Sequence, residues 1–127
     1  MIIGIGTDIV ETARIAETLE EHGDAFAEKV FTDAERAEVA GRKVKAPYYA
    51  GRWAAKEAVS KALGCGFGPK CSWKDIEILN DPVGKPVATL SGDAAETADG
   101  LAGDWKLHVT ISHEKTHACA TAIIESN

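Results

Sequence analysis

Pro47-Tyr48-Tyr49-Ala50-Gly51-Arg52-Trp53-Ala54-Ala55-Lys56-Glu57-Ala58-Val59-Ser60-Lys61-Ala62-Leu63-Gly64 reads as one long helix, from about 47 to 63. Proline suits a first helical turn because its missing N–H has no partner there. Gly64 is the natural C-terminal stop. At about 100° per residue, Ala54, Ala55, Ala58, Val59 and Ala62 share one apolar arc, with Arg52, Lys56 and Ser60 opposite. Glu57 and Lys61 are four apart, so they are neighbours where the two faces meet. A carboxylate and an ammonium half-shielded there could hold a divalent metal and a phosphate. An ordinary Glu-to-Lys surface pair accounts for the same spacing.

Upstream of this helix, residues 2–10 read as a strand, with Gly4, Gly6 and Asp8 on one face and Ile3, Ile5 and Ile9 on the other. Helices follow over about 11–22 and 24–30. Thr32-Asp33-Ala34-Glu35 has the form of a capping box and starts a third. Downstream, 64–72 is loop, and strands at about 74–79 and 86–91 flank the turn-rich Asn80-Asp81-Pro82-Val83-Gly84. A weaker helix over 91–101 precedes a strand that alternates Leu107, Val109 and Ile111 against His108, Thr110 and Ser112. The last strand, 117–124, carries Ala118, Ala120 and Ala122, which leave room for a helix to pack close. Strand, helices, then a run of strands is an α+β pattern: a mostly antiparallel sheet packed against the long helix.

The chain has 127 residues, 45% of them hydrophobic, which fits a single domain over 1–127 with a real core. Three Trp, three Phe and two Tyr argue against disorder. No apolar run approaches the roughly 20 residues of a membrane span. The apolar N-terminus is short and lacks a basic flank, so it reads as a strand rather than a signal peptide, and the expected location is cytoplasmic. Cys65, Cys71 and Cys119 are odd in number and wrongly spaced for zinc, so they read as free thiols. The net charge of −6 disfavours general nucleic-acid binding. Residues 42–61, however, carry six cations against one acid, a +5 island in a remainder of −11, which points to a local anion site.

Two more residues stand out. Asp8 sits in an apolar strand beside glycines, where an unpaired carboxylate is costly. A magnesium ion is one candidate partner. Alternatively Asp8-Ile9-Val10-Glu11 is an N-cap box and Asp8 caps the next helix. His113, at a strand end before Glu114, could bind a phosphate or be an ordinary turn histidine.

Three segments together resemble the bacterial holo-acyl-carrier-protein synthases, the short type of 4′-phosphopantetheinyl transferase. They are Gly4-Ile5-Gly6-Thr7-Asp8-Ile9-Val10 with Arg14-Ile15 beyond it, then Arg52-Trp53-Ala54-Ala55-Lys56-Glu57-Ala58-Val59-Ser60-Lys61-Ala62, then Ile111-Ser112-His113-Glu114. The resemblance implies that family's fold. It also implies transfer of the phosphopantetheine arm of coenzyme A to a serine of apo-acyl carrier protein, with release of 3′,5′-ADP, in fatty acid biosynthesis. Asp8 and Glu57 match the magnesium ligands and Lys61 the cation on the phosphates being cleaved. Lys43, Lys45, Arg52, the turn Gly84-Lys85-Pro86 and His113 match the coenzyme A nucleotide site, and Arg14 matches a carrier contact. Glu57 or a water on the metal is the candidate base for the serine. Since longer relatives carry two such halves in one chain, the resemblance implies a homotrimer with sites at subunit boundaries. Against this, the helix holding Arg14 also brings Glu11, Glu17, Glu20 and Glu21 toward an acidic carrier. A magnesium-dependent phosphohydrolase of a nucleotide diphosphate would use the same groups with water as nucleophile. A non-catalytic binding module would have no need of Asp8, Glu57 and Lys61 together.

Overall fold

A computed structural model describes residues 1–127. Its elements are β1 (Ile2–Glu11), α1 (Thr12–His22), α2 (Asp24–Val30), α3 (Asp33–Val39), α4 (Ala46–Leu63), β2 (Ile76–Asn80), β3 (Pro86–Leu90), α5 (Gly92–Leu101), β4 (Lys106–His113) and β5 (His117–Glu125). A 3-10 turn, Trp73–Asp75, leads into β2. The strands form an antiparallel sheet in the order β1-β5-β4 and a separate β2-β3 hairpin. This is the expected α+β arrangement, with α4 lying across the larger sheet.

What brings α4 so close is the absence of side chains. A methyl placed on Gly4 would stand 2.0 Å from the Ala62 carbonyl oxygen, and one on Gly6 2.0 Å from that of Ala58. Strand glycines often mark such close approach of another backbone. Ala118, Ala120 and Ala122 of β5 share this face, in register with Val10, Asp8 and Gly6, and are buried. The core face of β1 is therefore the glycine face. Ile5 and Ile9 turn outward, 65% and 67% exposed.

The arc opposite the apolar one, with Arg52, Lys56 and Ser60, is not open to solvent. All three are buried: α4 lies against the larger sheet and also packs on α1, α5 and β2, and its polar side chains reach α2 and α3. Protein partners replace water at nearly all of their polar atoms, the Arg52 Nε excepted. Lys56 Nζ donates to the carbonyls of Val30 (3.0 Å), Trp73 (3.0 Å) and Ile76 (2.6 Å), and pairs with Glu35 Oε1 at 2.8 Å. Glu35 closes the capping box with Thr32 and accepts from Ile78 N–H at 2.8 Å. Ser60 Oγ donates to Glu57 O at 2.7 Å.

The N-cap account of Asp8 also falls. Strand β1 runs on to Glu11, Asp8 pairs with Ala120 in the ladder, and the N-cap position of α1 is Glu11, whose side chain makes no cap bond.

The glycine seam is directly testable. Gly6→Ala should lose about 2 kcal/mol or more of stability, since the facing atoms are backbone and cannot rotate away. Gly100→Ala, with nothing within 4 Å, should change it by less than about 1 kcal/mol. Urea unfolding midpoints of the two variants check both values.

Candidate functional site

Gly6 and Asp8 lie on the same face of β1, two residues apart. Because Gly6 admits the helix, the next inward side chain, Asp8, meets the α4 turn that carries Glu57 and Lys61. Lys61 Nζ stands 3.2 Å from Asp8 Oδ1 and donates to Thr7 O at 2.9 Å. The surface pair that spacing alone allows between Glu57 and Lys61 is therefore not formed; the ammonium crosses to the strand. Burial first, and the neighbouring Asp8 charge second, raise the Glu57 carboxyl above its ordinary pKa, while Lys61 acts against them. Two carboxylates competing for one ammonium have capacity left for a further cation. They come from two separate elements, and no third His, Cys, Asp or Glu joins them as a metal cluster. A hard cation that takes one or two carboxylates, with phosphate oxygens and water completing its shell, fits this donor set.

Asp8 and Glu57 open into a cavity of about 340 Å³ lined also by Arg14, Thr18, Phe26 and Trp53. Arg14 thus stands on the rim of the carboxylate cavity, which its position in a helix pattern could not show.

A second cavity, of about 280 Å³, is lined by Arg42, Tyr48, Arg52, Gly84, Pro86 and His113 among others. It brings together Arg52, two residues of the Gly84-Lys85-Pro86 turn, and His113, from distant parts of the chain. Lys43, Lys45 and Lys85 are exposed and do not line it. Arg42 does, and charge counting had singled it out only as one member of the basic island. The turn is held open by Asp81, whose Oδ1 accepts from the N–H groups of Val83 (3.0 Å) and Lys85 (2.9 Å), with Gly84 at φ +88°.

Arg52 is not a free cation there. It donates to Glu38 Oε1 at 2.7 Å and to Asn80 Oδ1 at 2.9 Å, and lies over the Tyr48 ring at 4.4 Å. Glu38 also accepts from Tyr48 OH at 3.0 Å and from Asn80 N–H at 3.1 Å. Burial raises the Tyr48 phenol pKa, with Arg52 acting the other way. Arg42 has no ion pair and sits 5.2 Å from the Tyr48 ring centroid, so it is the unmatched positive charge of this cavity.

The profile of the 4′-phosphopantetheinyl transferase superfamily matches residues 4–122. A holo-[acyl-carrier-protein] synthase of Clostridium novyi is 50% identical over 125 residues, covering 98% of this chain and 88% of its own. The structure is similar to that of a holo-(acyl-carrier-protein) synthase from Bacillus anthracis in complex with CoA (3′,5′-ADP). That match has a TM-score of 0.84 and 40% identity, and covers 100% of this chain and 99% of the other. It is also similar to a holo-[acyl-carrier-protein] synthase from Neisseria meningitidis, with a TM-score of 0.90 and 33% identity, covering 99% and 100% of the two chains.

The raised Glu57 pKa has a consequence for stability. A carboxyl whose folded pKa lies above its unfolded value adds stability at low pH and loses it as pH rises through the folded pKa. In metal-free protein at pH 7, Glu57→Gln should therefore raise the melting temperature. The gain should vanish below about pH 4, where the unfolded carboxyl is also protonated. Thermal melts in a chelator across this range check the sign.

Proposed function

This chain belongs to the 4′-phosphopantetheinyl transferase superfamily, among the holo-acyl-carrier-protein synthases, and we propose that it transfers the phosphopantetheine arm of coenzyme A to a serine of apo-acyl carrier protein. The observation that carries this reading is the meeting of Lys61 with Asp8, 3.2 Å apart and beside Glu57, in a chain similar to such synthases over nearly its full length. The hydrolase alternative finds no support among these relatives.

Asp8 and Glu57 would hold magnesium. Magnesium, when bound, supplies a Lewis acid and template that offsets the charge of the pyrophosphate. The serine hydroxyl oxygen attacks the β-phosphorus, and the bond to the leaving 3′,5′-ADP oxygen breaks. Lys61, half exposed and already aimed at Thr7 and Asp8 of β1, is free to swing its ammonium to the developing negative charge. The serine proton needs an acceptor, and Glu57, beside Asp8 and Lys61, or a water at that site would take it. The second cavity suits the nucleotide end of coenzyme A, with Arg42 and His113 toward phosphate, Arg52 shaping the wall, and the Gly84–Pro86 turn closing one side. Lys43, Lys45 and Lys85 would then act from outside, as exposed charge that draws the polyanion in. Arg14, on the rim of the carboxylate cavity, would contact the carrier.

We take residues 1–127 as one transferase domain that works as a homotrimer. In one copy the carboxylate cavity and the basic cavity have no lining residue in common, whereas one coenzyme A must engage both kinds of group. The outer sheet face supports assembly. Ile5, Thr7 and Ile9 of β1 lie in register with Ile123, Thr121 and Cys119 of β5, an apolar and hydroxyl surface with no element over it. Three such faces closing on one another would bury it and bring neighbouring half-sites together. The three cysteines are free, as a reducing compartment leaves them, in keeping with the cytoplasm.

Asp8→Ala and Glu57→Ala should each lower transfer at least about 100-fold with the fold intact. The intact mass of a carrier incubated with coenzyme A and magnesium reports this, and full transfer by either variant refutes the metal assignment. Ile5→Glu combined with Ile9→Glu should convert the trimer to monomers and remove activity. Light scattering measures the mass, and a wild type that is active as a monomer overturns the assembly.

A further inference from the structure

A third cavity, of about 420 Å³, lies outside both sites already described. It is lined by Lys29 of α2 and by Phe67, Cys71, Trp73 and Lys74 of the loop between α4 and β2, among others. Its aromatic wall is continuous with the carboxylate cavity. Phe67 stacks on Trp73 with ring centroids 3.7 Å apart, Trp73 stacks on Trp53 at 4.4 Å, and Phe26 packs on Trp53 at 5.9 Å. Trp53 and Phe26 line the cavity that holds Asp8 and Glu57. One indole pair therefore separates the two openings, and the same protein can cover both.

The rim of this third cavity is positive. Lys29 and Lys74 line it, and Lys70 stands exposed on the same loop. None of the three makes an ion pair within the chain. The nearest acid of the loop is engaged elsewhere: Asp75 accepts from Ser72 N–H at 3.1 Å and Ala94 N–H at 3.2 Å. The α1 face on the other side of the carboxylate cavity is of opposite character, with Glu17, Glu20 and Glu21 exposed around Arg14. An acidic partner is repelled along most of α1 and attracted along this loop.

We propose that Lys29, Lys70 and Lys74, around the Phe67–Trp73 cleft, form the principal electrostatic anchor for the acidic carrier protein. This rests on the carrier transferase reading above and extends it. Carboxylates on the carrier surface meet the three ammonium groups, and an apolar carrier side chain enters the cleft against the edge of the Phe67–Trp73 stack. The carrier then lies over the Trp53–Trp73 pair with its serine toward Asp8 and Glu57. Free lysines around a half-buried aromatic cleft combine an apolar anchor with a charged rim, the arrangement found in protein docking surfaces.

The test is the variant K29E/K70E/K74E, which should fold because none of these ammonium groups is paired. Its KM for apo-carrier protein should rise on the order of ten-fold, with the KM for coenzyme A and kcat at saturating carrier unchanged. The gap between variant and wild type should narrow as salt rises, since exposed charges are screened beyond about 8 Å at 0.15 M ionic strength. Trp73→Phe, which keeps a ring in the stack, should raise the carrier KM in the same direction by a smaller factor. An unchanged carrier KM in K29E/K70E/K74E overturns the proposal, as does an equal rise in the KM for coenzyme A. Absence of transfer by the wild-type chain would instead defeat the underlying transferase reading, so the two failures are distinct.

Discussion

The buried ammonium of Lys56 ties together parts of the chain that have no other reason to meet. Three carbonyls and one carboxylate surround it, drawn from the end of α2, the 3-10 turn, the start of β2 and the capping box of α3. Burial drives its pKa down and Glu35 opposes that, so in this dry interior the charge depends on the partners that surround it. Removing one member of such a pair typically costs about 3–5 kcal/mol, because the other charge is left in a dry interior. Glu35 is equally committed, since it also caps its own helix and holds Ile78 of β2. The side of α4 away from the sheet is thus fixed by polar closure, while the sheet side is fixed by bare backbone contact.

These two constraints decide where the chemistry can be. With one side of the helix locked by Lys56 and the other pressed onto Gly4 and Gly6, the narrow edges between remain open to solvent. Glu57 and Lys61 are on one edge, facing Asp8. Tyr48 and Arg52 are near the N-terminal end, facing the β2–β3 turn and His113. Adjacent residues of α4 therefore serve opposite ends: Lys56 the fold, Glu57 the proposed reaction.

Much of this was legible in the sequence. Strong local signals, such as the Thr32–Glu35 capping box, Pro47, Gly64 and the alternation of β4, gave elements within a residue or two of their observed ends. The segments around Asp8, Glu57 and His113 carried the family. What failed was anything set by long-range contact. Arg52, Lys56 and Ser60 have the spacing of a solvated face, and only their partners, far away in sequence, reveal that they are buried. Arg42, Lys43 and Lys45 are indistinguishable as charges, yet only Arg42 lines the basic cavity, because which side chain faces it depends on how the chain enters α4. The orientation of β1 was hidden for a similar reason. Hydropathy favours burying isoleucines, while helix proximity favours glycines, and proximity wins.

The glycine seam also sets how the site can fail. Where side chains separate two elements, a rotamer change can let one slide and leave the remainder intact. At Gly4 and Gly6 there is no such layer, and backbone meets backbone. The distance from Asp8 to the Glu57 turn is consequently a property of main-chain atoms, with few soft degrees of freedom to loosen it. Fluctuations that would spread the two carboxylates must part the helix from the sheet, which exposes the whole core. The proposed reaction centre accordingly has no private melting transition: it should remain assembled up to the temperature at which the domain unfolds, and disappear with it in one cooperative step.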